Sequence, residues 1–368
     1  MNKHTVDKTF LGIVITLVII GVVMFTSASL GILAKNTAKF YGVITNQYFF
    51  GIFLGFIALY LGSRISYKFW RSYSLVFFIL SFLLTLSVFI PGFGVNHKGA
   101  SRWIEIFGVS LQPVEFLKIG FIIYFAAILS LAKNKVDQFR YSILPFLVLL
   151  GLVSAVLLSQ PDTKSVLLIS VTAFVMLFIS GVSWKKIIGL FVMFGIALAI
   201  LVSIKPYLMD RINTYINPNQ DAHGTSYQLQ QSLIAVGSGG IFGRGVGQSI
   251  QKFNYLPEPQ GDSIFAVIGE EIGFVGGVIL IIIYSAFAVC GYKIAYHAPD
   301  SFSKLLVIGF VTIIIAQSFM NIASTIGVFP LTGVPLVFIS HGGTSLLLSL
   351  SMIGIILNVS RYRTSKNS

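Results

Sequence analysis

An all-α polytopic membrane protein, with about ten transmembrane helices and one long extracytoplasmic loop, is the fold class that this 368-residue sequence predicts. Hydrophobic residues make up 55 % of the chain and charged residues only 10 %, whereas charged residues are about a quarter of an ordinary soluble domain. The apolar residues fall in runs long enough to cross hydrocarbon, which takes about 20 residues of helix. Polar residues, glycine and proline are gathered into a few segments between those runs. A single soluble core is excluded.

The predicted spans lie near 9–30, 46–63, 72–91, 114–132, 142–159, 164–182, 186–204, 263–292, 303–327 and 340–360. The first ends in Thr26-Ser-Ala-Ser29, which faintly resembles a signal-peptidase site. An apolar stretch of about 22 residues exceeds a signal core, so this span is read as a retained anchor. Ten spans put both termini on one side. With that side cytoplasmic, every inner segment is basic, through Lys3 and Lys8, Arg64 to Arg71, Lys133 to Arg140, Lys185 and Lys186, Lys293 and Lys304, and Arg361 to Lys366. The positive-inside rule supports this orientation in the cytoplasmic membrane. The sizeable outer segments are then 91–113 and 205–262. A broken stretch, 327–345, carries Pro330, Gly333, Pro335, Gly342 and Gly343. Non-helical backbone is tolerated at membrane depth only when buried in protein or lining a cavity, so this stretch is read as a re-entrant loop facing the outer cavity. With no internal repeat, low-complexity run or linker, the chain reads as one domain over 1–368.

The formal net charge of +13 does not indicate nucleic acid, because the inner cations are scattered over short segments as topology alone requires. Cys290 is the one cysteine and lies inside a span, so no intramolecular disulfide forms, and no Cys/His metal motif occurs.

The charges that a membrane makes expensive are therefore informative. Asp262 follows Pro257-Glu-Pro259 and Gly261 at the head of an apolar helix. It is a candidate N-cap, and equally a carboxylate able to take a proton from a hydroxyl whose lipid part stays in the bilayer. Glu115 and Lys118 are three apart and share one helix face, where they pair as architecture or serve catalysis. Glu270 and Glu271 lie about 12–13 Å beyond Asp262 along a helix, with Gln317 or Asn321 as expected partners. Arg102, Lys98, Lys164, Arg244 and Lys252 are either scattered surface cations or a cup for a pyrophosphate. Glycines at 237, 239, 240, 243, 245 and 247 would let N–H groups approach that anion. No Walker lysine follows them, so a nucleotide is not the expected ligand. Trp103 anchors at the interface or stacks on a sugar.

The ordered motifs carry a resemblance. Gly99-Ala-Ser-Arg102-Trp103, Gln112-Pro113 with Glu115 and Lys118, Gln160-Pro-Asp162, Tyr227-Gln228 with Gln231-Ser232, the glycine series, Gln251-Lys252, Tyr255-Leu-Pro-Glu258, Asp262, Phe329-Pro-Leu-Thr-Gly-Val-Pro-Leu336 and Ser340-His-Gly-Gly-Thr-Ser345 together resemble the FtsW/RodA/SpoVE family of bacterial peptidoglycan glycosyltransferases. The resemblance spans nearly the whole chain. It implies that two lipid II units meet in the outer cavity and that Asp262 takes the proton of the acceptor 4-hydroxyl. The oxygen then attacks the donor anomeric carbon with inversion, expelling undecaprenyl pyrophosphate. It also implies substrate contacts at Arg102, Trp103, Glu115, Lys118, Asp162, Lys252, Glu258, Ser340, Gly342 and Gly343. Leaving-group charge would meet cations or a divalent ion such as Mg or Mn. The implied partners are a single-span class B penicillin-binding protein with transpeptidase activity and other divisome proteins, at the division septum. The runs 212–218 and 251–258 look more like the division branch of the family than the elongation branch.

The chain departs from the family pattern at Gln260-Gly261 and Ser263, at Thr163-Lys-Ser165 after Asp162, and at His341. A transporter of the lipid-linked precursor and a non-catalytic scaffold are the rival readings. The first would show paired broken helices and a repeat, and the second would not need Asp262.

Overall fold

The computed structural model describes residues 5–97, 100–106, 109–132, 135–216 and 225–362. Lys98, the inner cations Lys3, Lys133, Arg363 and Lys366, and part of the long outer segment lie outside the described residues.

Helix α1 spans Lys8–Leu33 and starts where the Asp7 carboxylate accepts the Phe10 N–H. Helix α2, Thr37–Thr45, is capped by Asn36 and runs through a π-helical stretch, Asn46–Phe53, into α3, Leu54–Arg64. The short α4, Tyr67–Ser72, leads into α5, Ser74–Leu86. Then come α6, Pro113–Ala132; α7, Ile143–Ser159; α8, Thr163–Ser180; and α9, Trp184–Ile204. Glycine at 181, with φ 100°, ends α8 in the left-handed conformation that favours glycine. The last three long helices are α13, Ile264–Tyr296; α14, Ser301–Thr325, opened by a capping box of Asp300 and Ser303; and α15, Gly343–Ser360.

Among the described residues eight helical segments are long and apolar enough to cross a membrane, counting α2 through α3 as one, and two shorter apolar helices, Ser74–Phe89 and Ile143–Ser159, stand where the third and fifth spans are predicted. Helices α6, α14 and α15 are mostly buried, whereas α9 buries only Ile187 and Leu190. The bundle thus has inner helices and an apolar outer ring of the kind that faces lipid. Small residues set the close approaches. At Gly21 of α1 an added Cβ would stand 2.1 Å from the Phe338 carbonyl oxygen. At Gly354 of α15 it would stand 2.3 Å from that of Leu59.

Two of the segments expected on the outer side differ from expectation. The first folds into a three-stranded antiparallel sheet, β1 Gly94–His97, β2 Ala100–Ile106 and β3 Val109–Leu111. The segment 205–262 is not one loop: it contains α10, Pro206–Ile216; α11, Thr225–Ser238; and the single turn α12, Gln251–Asn254. The stretch 326–342 is non-helical, as its prolines and glycines predict, and it is buried at Val334 and from Leu336 to Ser340. Its backbone groups are satisfied from inside the bundle, through Asn321 to Val334 O at 2.7 Å and Gln317 to Pro335 O at 3.2 Å.

Candidate active site

The turn that delivers Asp262 is fixed from several sides. Glu258 adopts φ 47°, and its carbonyl accepts the Gly261 N–H at 2.9 Å. Ser340 Oγ donates to the Gly261 carbonyl at 2.7 Å and accepts the Leu336 N–H at 2.8 Å. Asn321 Nδ2 donates to the Asp262 carbonyl at 2.7 Å while also holding Val334. The backbone at Asp262 is thus tied to α14 and to the non-helical stretch, which leaves its carboxylate as the free element of the turn.

That carboxylate is not a helix cap. The N-cap of α13 is Ser263, and no side chain caps the helix, so the capping reading of Asp262 is corrected. Its Oδ1 accepts from Gln228 Nε2 of α11 at 3.3 Å, and the same amide donates to Ser263 Oγ at 3.0 Å. Gly333, at φ 65°, lies against Oδ2, where an added Cβ would be 3.3 Å away. Burial pushes the Asp262 carboxyl above the usual carboxylate range, opposed by the Lys164 charge and the Gln228 hydrogen bond and reinforced by Glu258.

Three cations gather near this turn from three elements. Lys164 of α8 bonds to the Gly333 carbonyl. Arg211 of α10 donates to the Leu331 carbonyl at 3.2 Å, and burial lowers its affinity for the proton while Asp262 and Asp162 raise it. Arg102 of β2 donates to the Gln160 carbonyl at 2.9 Å and to that of Pro161. Gln160 in turn donates to the Thr85 carbonyl at 2.8 Å, joining the sheet, α5 and the α7–α8 turn. Beside the turn lies a polar pocket of ≈ 330 Å³ lined by Lys35, Asn36, Lys39, Tyr227, Glu258 and Gln260, among others.

The remaining sequence-predicted residues divide. Glu115 and Lys118 form the expected buried pair at 2.7 Å, and Lys118 also donates to Gln317 Oε1 at 2.9 Å. Through Gln317 the pair reaches the Pro335 carbonyl. Trp103 is half-buried on β2, opposite Val95. Glu258 is exposed at the pocket. Asp162 is buried as the N-cap of α8, its oxygens bonded to Ser165 N and Oγ, so it shapes the helix start and does not present a free carboxylate. The Gly342 N–H donates to Gln47 Oε1, and an added Cβ at Gly343 would stand 2.0 Å from Asn46 Oδ1. Both glycines therefore serve packing against the π-helical stretch.

Lys252 does not join the cations around Asp262. Its ammonium is enclosed by Glu271 Oε1 at 2.7 Å, Ser27 Oγ at 3.0 Å and the Gly247 carbonyl at 2.7 Å, at the wall of the pocket beside the turn, which Lys252 also lines. Arg244 N and Gly245 N donate to the Glu270 and Glu271 carbonyls at 3.0 and 2.9 Å, and a Cβ at Gly243 would meet the Glu271 carbonyl oxygen at 2.2 Å. Gly239 and Gly243 thus let the loop lie against the backbone of α13. The partners of Glu270 are likewise Ser249, Ile250 N, Gln251 N and Arg244, not Gln317 or Asn321.

Sequence reasoning assigned no role to Gln228 or Arg211. Gln228 carried a signal, since it shares a helix face with Gln231 and Ser232 in an otherwise weakly patterned helix. Among the described residues no group of three or more His, Cys, Asp or Glu side chains is placed to hold a metal ion. These residues thus form no protein cage for a divalent cation. The arrangement itself offers one partly exposed carboxylate able to accept a proton, with cations standing off from it to receive negative charge.

The chain is similar to known proteins over almost its full length. The family model FtsW/RodA/SpoVE, described as "Cell cycle protein", matches residues 7–365. The chain is 37 % identical to stage V sporulation protein E of Bacillus subtilis over 365 residues, covering 98 % of each chain. It is 38 % identical to the "Probable peptidoglycan glycosyltransferase FtsW" of Geobacter metallireducens over 354 residues, covering 96 % of this chain and 94 % of that one. Its fold matches a chain from a study of polymerization and crosslinking by a peptidoglycan synthase complex, with TM-score 0.79, 26 % identity and coverage of 98 % and 99 %. It also matches the crystal structure of the rod shape determining protein RodA of Thermus thermophilus, with TM-score 0.71, 26 % identity and 98 % coverage of each chain. With its motifs, its helical fold and a family match over almost its full length, the chain belongs to the FtsW/RodA/SpoVE family.

Proposed function

We propose that the chain is a peptidoglycan glycosyltransferase of the bacterial cytoplasmic membrane, an inverting enzyme that polymerises lipid II and uses Asp262 as its general base. The observation that carries this reading is the state of the Asp262 carboxylate. It caps no helix, keeps part of its surface exposed and accepts one long side-chain hydrogen bond. An acceptor hydroxyl beside it loses its proton as the oxygen attacks the donor anomeric carbon. One carboxylate suffices, because a pyrophosphate leaves without the acid that a glycosidic oxygen requires. The charge that develops on the departing phosphate is of the sign that Lys164, Arg211 and Arg102 stabilise.

The printed name of the Geobacter metallireducens relative supports the reaction class. A role in septal wall synthesis, one domain with both termini in the cytoplasm, and assembly with a single-span crosslinking transpeptidase belong to the same proposal. The family description "Cell cycle protein" and the likeness to a chain of a peptidoglycan synthase complex support the septal role and the assembly, and the basic residues of the expected inner segments support the orientation.

The test is turnover of fluorescent lipid-linked disaccharide-pentapeptide by the purified protein. Wild type yields polymer, and Asp262→Asn, which keeps size and hydrogen-bonding oxygen but cannot act as a base, loses about 10²–10⁴-fold in rate while remaining monodisperse. An Asn variant that polymerises at the wild-type rate ends the assignment. Flip of the lipid without polymer favours the transporter reading.

A further inference from the structure

Lys164 sits in the first turn of α8, directly after the Asp162 cap. A helix N-terminus carries positive partial charge, so a lysine there works against the helix dipole. The ammonium bonds to the Gly333 carbonyl. The α-carbon of that glycine faces Asp262 Oδ2. Cation, Gly333 peptide and Asp262 carboxylate therefore lie in sequence across the gap between α8 and the head of α13. Among the described residues no carboxylate oxygen lies within 4.0 Å of the ammonium, Asp162 and Asp262 included. Lys118 and Lys252, by contrast, are each consumed by a glutamate at 2.7 Å.

We propose that Lys164 is a positioning residue of the reaction, holding the Gly333 peptide against Asp262 and setting the charge state of that carboxylate through space. The inference rests on Asp262 being the base. The other groups acting on Asp262 are Glu258 of its own turn, Arg211 of α10 and Gln228 of α11. Lys164 in turn feels Asp162, Arg102 and Lys118. Burial raises Asp262 and the lysine opposes that rise. Because the base works only when ionised, the cation keeps the acid limb of the activity profile at lower pH than it would otherwise occupy. Removing the cation moves that limb upward.

The experiment measures kcat/KM against pH for wild type, Lys164→Met, Lys164→Gln and Lys164→Arg on fluorescent lipid-linked disaccharide. Met and Gln move the acid limb up by about one unit, the lower end of what an adjacent opposite charge produces. Activity on the acid side then falls by about tenfold, while the alkaline plateau stays within about threefold of wild type. Arg keeps the wild-type limb. Gln retains a donor for the Gly333 carbonyl, so a shift shared by Met and Gln reports the charge and not the bond, and Gln serves alone where Met does not fold. A limb that does not move, or a loss equal at every pH, overturns the inference. Asp262→Asn run alongside keeps the two readings apart: an active Asn variant removes the base itself, whereas an inactive one with unmoved limbs removes only the role of Lys164.

Discussion

Two groups of charges hang from the same stretch of chain, one at the head of α13 and one about two turns further in, and they are built in opposite ways. The inner group is saturated. Glu271 accepts from Ser27 at 2.7 and 2.8 Å and from Lys252 at 2.7 Å, and Glu270 accepts from Ser249 Oγ at 2.6 Å and from Ile250 N at 3.0 Å. Both glutamates are 0 % exposed. The outer group is left open: Asp262 has one amide at 3.3 Å, and its cations are bonded to backbone carbonyls. Buried ions are tolerated when paired and hydrogen-bonded, so the inner group satisfies the rule for architecture. The outer group breaks it where a ligand must enter. Saturation, more than charge itself, separates the residues that shape this protein from those proposed to face substrate.

The largest effect should come from breaking the saturated group. Lys252→Met leaves Glu271 buried with only serine and backbone donors, and an uncompensated buried charge costs about 3–5 kcal/mol. Thermal unfolding in detergent should show a large fall in Tm. The double variant Lys252→Met/Glu271→Gln should recover most of it, because no isolated charge remains. A Lys252→Met protein as stable as wild type but inactive would place Lys252 with the open group and dissolve the comparison.

The sequence made the helical bundle legible because hydrophobic runs of span length have few alternative folds. It made the Glu115–Lys118 pair legible because a spacing of three fixes one helix face. It did not reveal which cations are free. Lys252 and Lys164 look alike as lone lysines in polar segments, and only the fold shows that Glu271 reaches the first and no carboxylate reaches the second. The glycine series is ambiguous for the same reason. Glycine signals close backbone approach, but whether the approaching group is an anion or the carbonyls of Glu270 and Glu271 depends on long-range packing. The sheet at 94–111 escaped notice because its strands are short and lie in a segment already read as a polar loop.

The Glu115–Lys118 pair sharpens the comparison, since it is saturated yet connected to the open site through Gln317 and the Pro335 carbonyl. Glu115→Gln leaves a buried lysine and Lys118→Met a buried carboxylate, each destabilising by about 3 kcal/mol, the lower bound for breaking a buried pair. The double variant should regain Tm. Its polymerisation should stay low, because Gln317 has lost the ammonium that orients it and the stretch at Gly333 to Pro335 is no longer held. Full activity in the double variant would show the pair to be architecture alone.

The smallest effect tests the outer group at its one hydrogen bond. Gln228 donates to both Asp262 Oδ1 and Ser263 Oγ, and a bond to the carboxylate favours the charged form. At 3.3 Å it is long, so its loss should cost about 1 kcal/mol, below the 1.5–3 typical of bonds to charged groups. Gln228→Leu should therefore reduce kcat about fivefold on the acid side of the profile, with little change on the alkaline plateau, where Asp262 is ionised without help. Because the amide lies at a partly open site, Tm should move by no more than a surface substitution does, about 0.5 kcal/mol in stability. If Gln228→Leu instead unfolded the protein as Lys252→Met does, the outer group would be as structural as the inner one. The open carboxylate would then have lost the distinction on which its catalytic role depends.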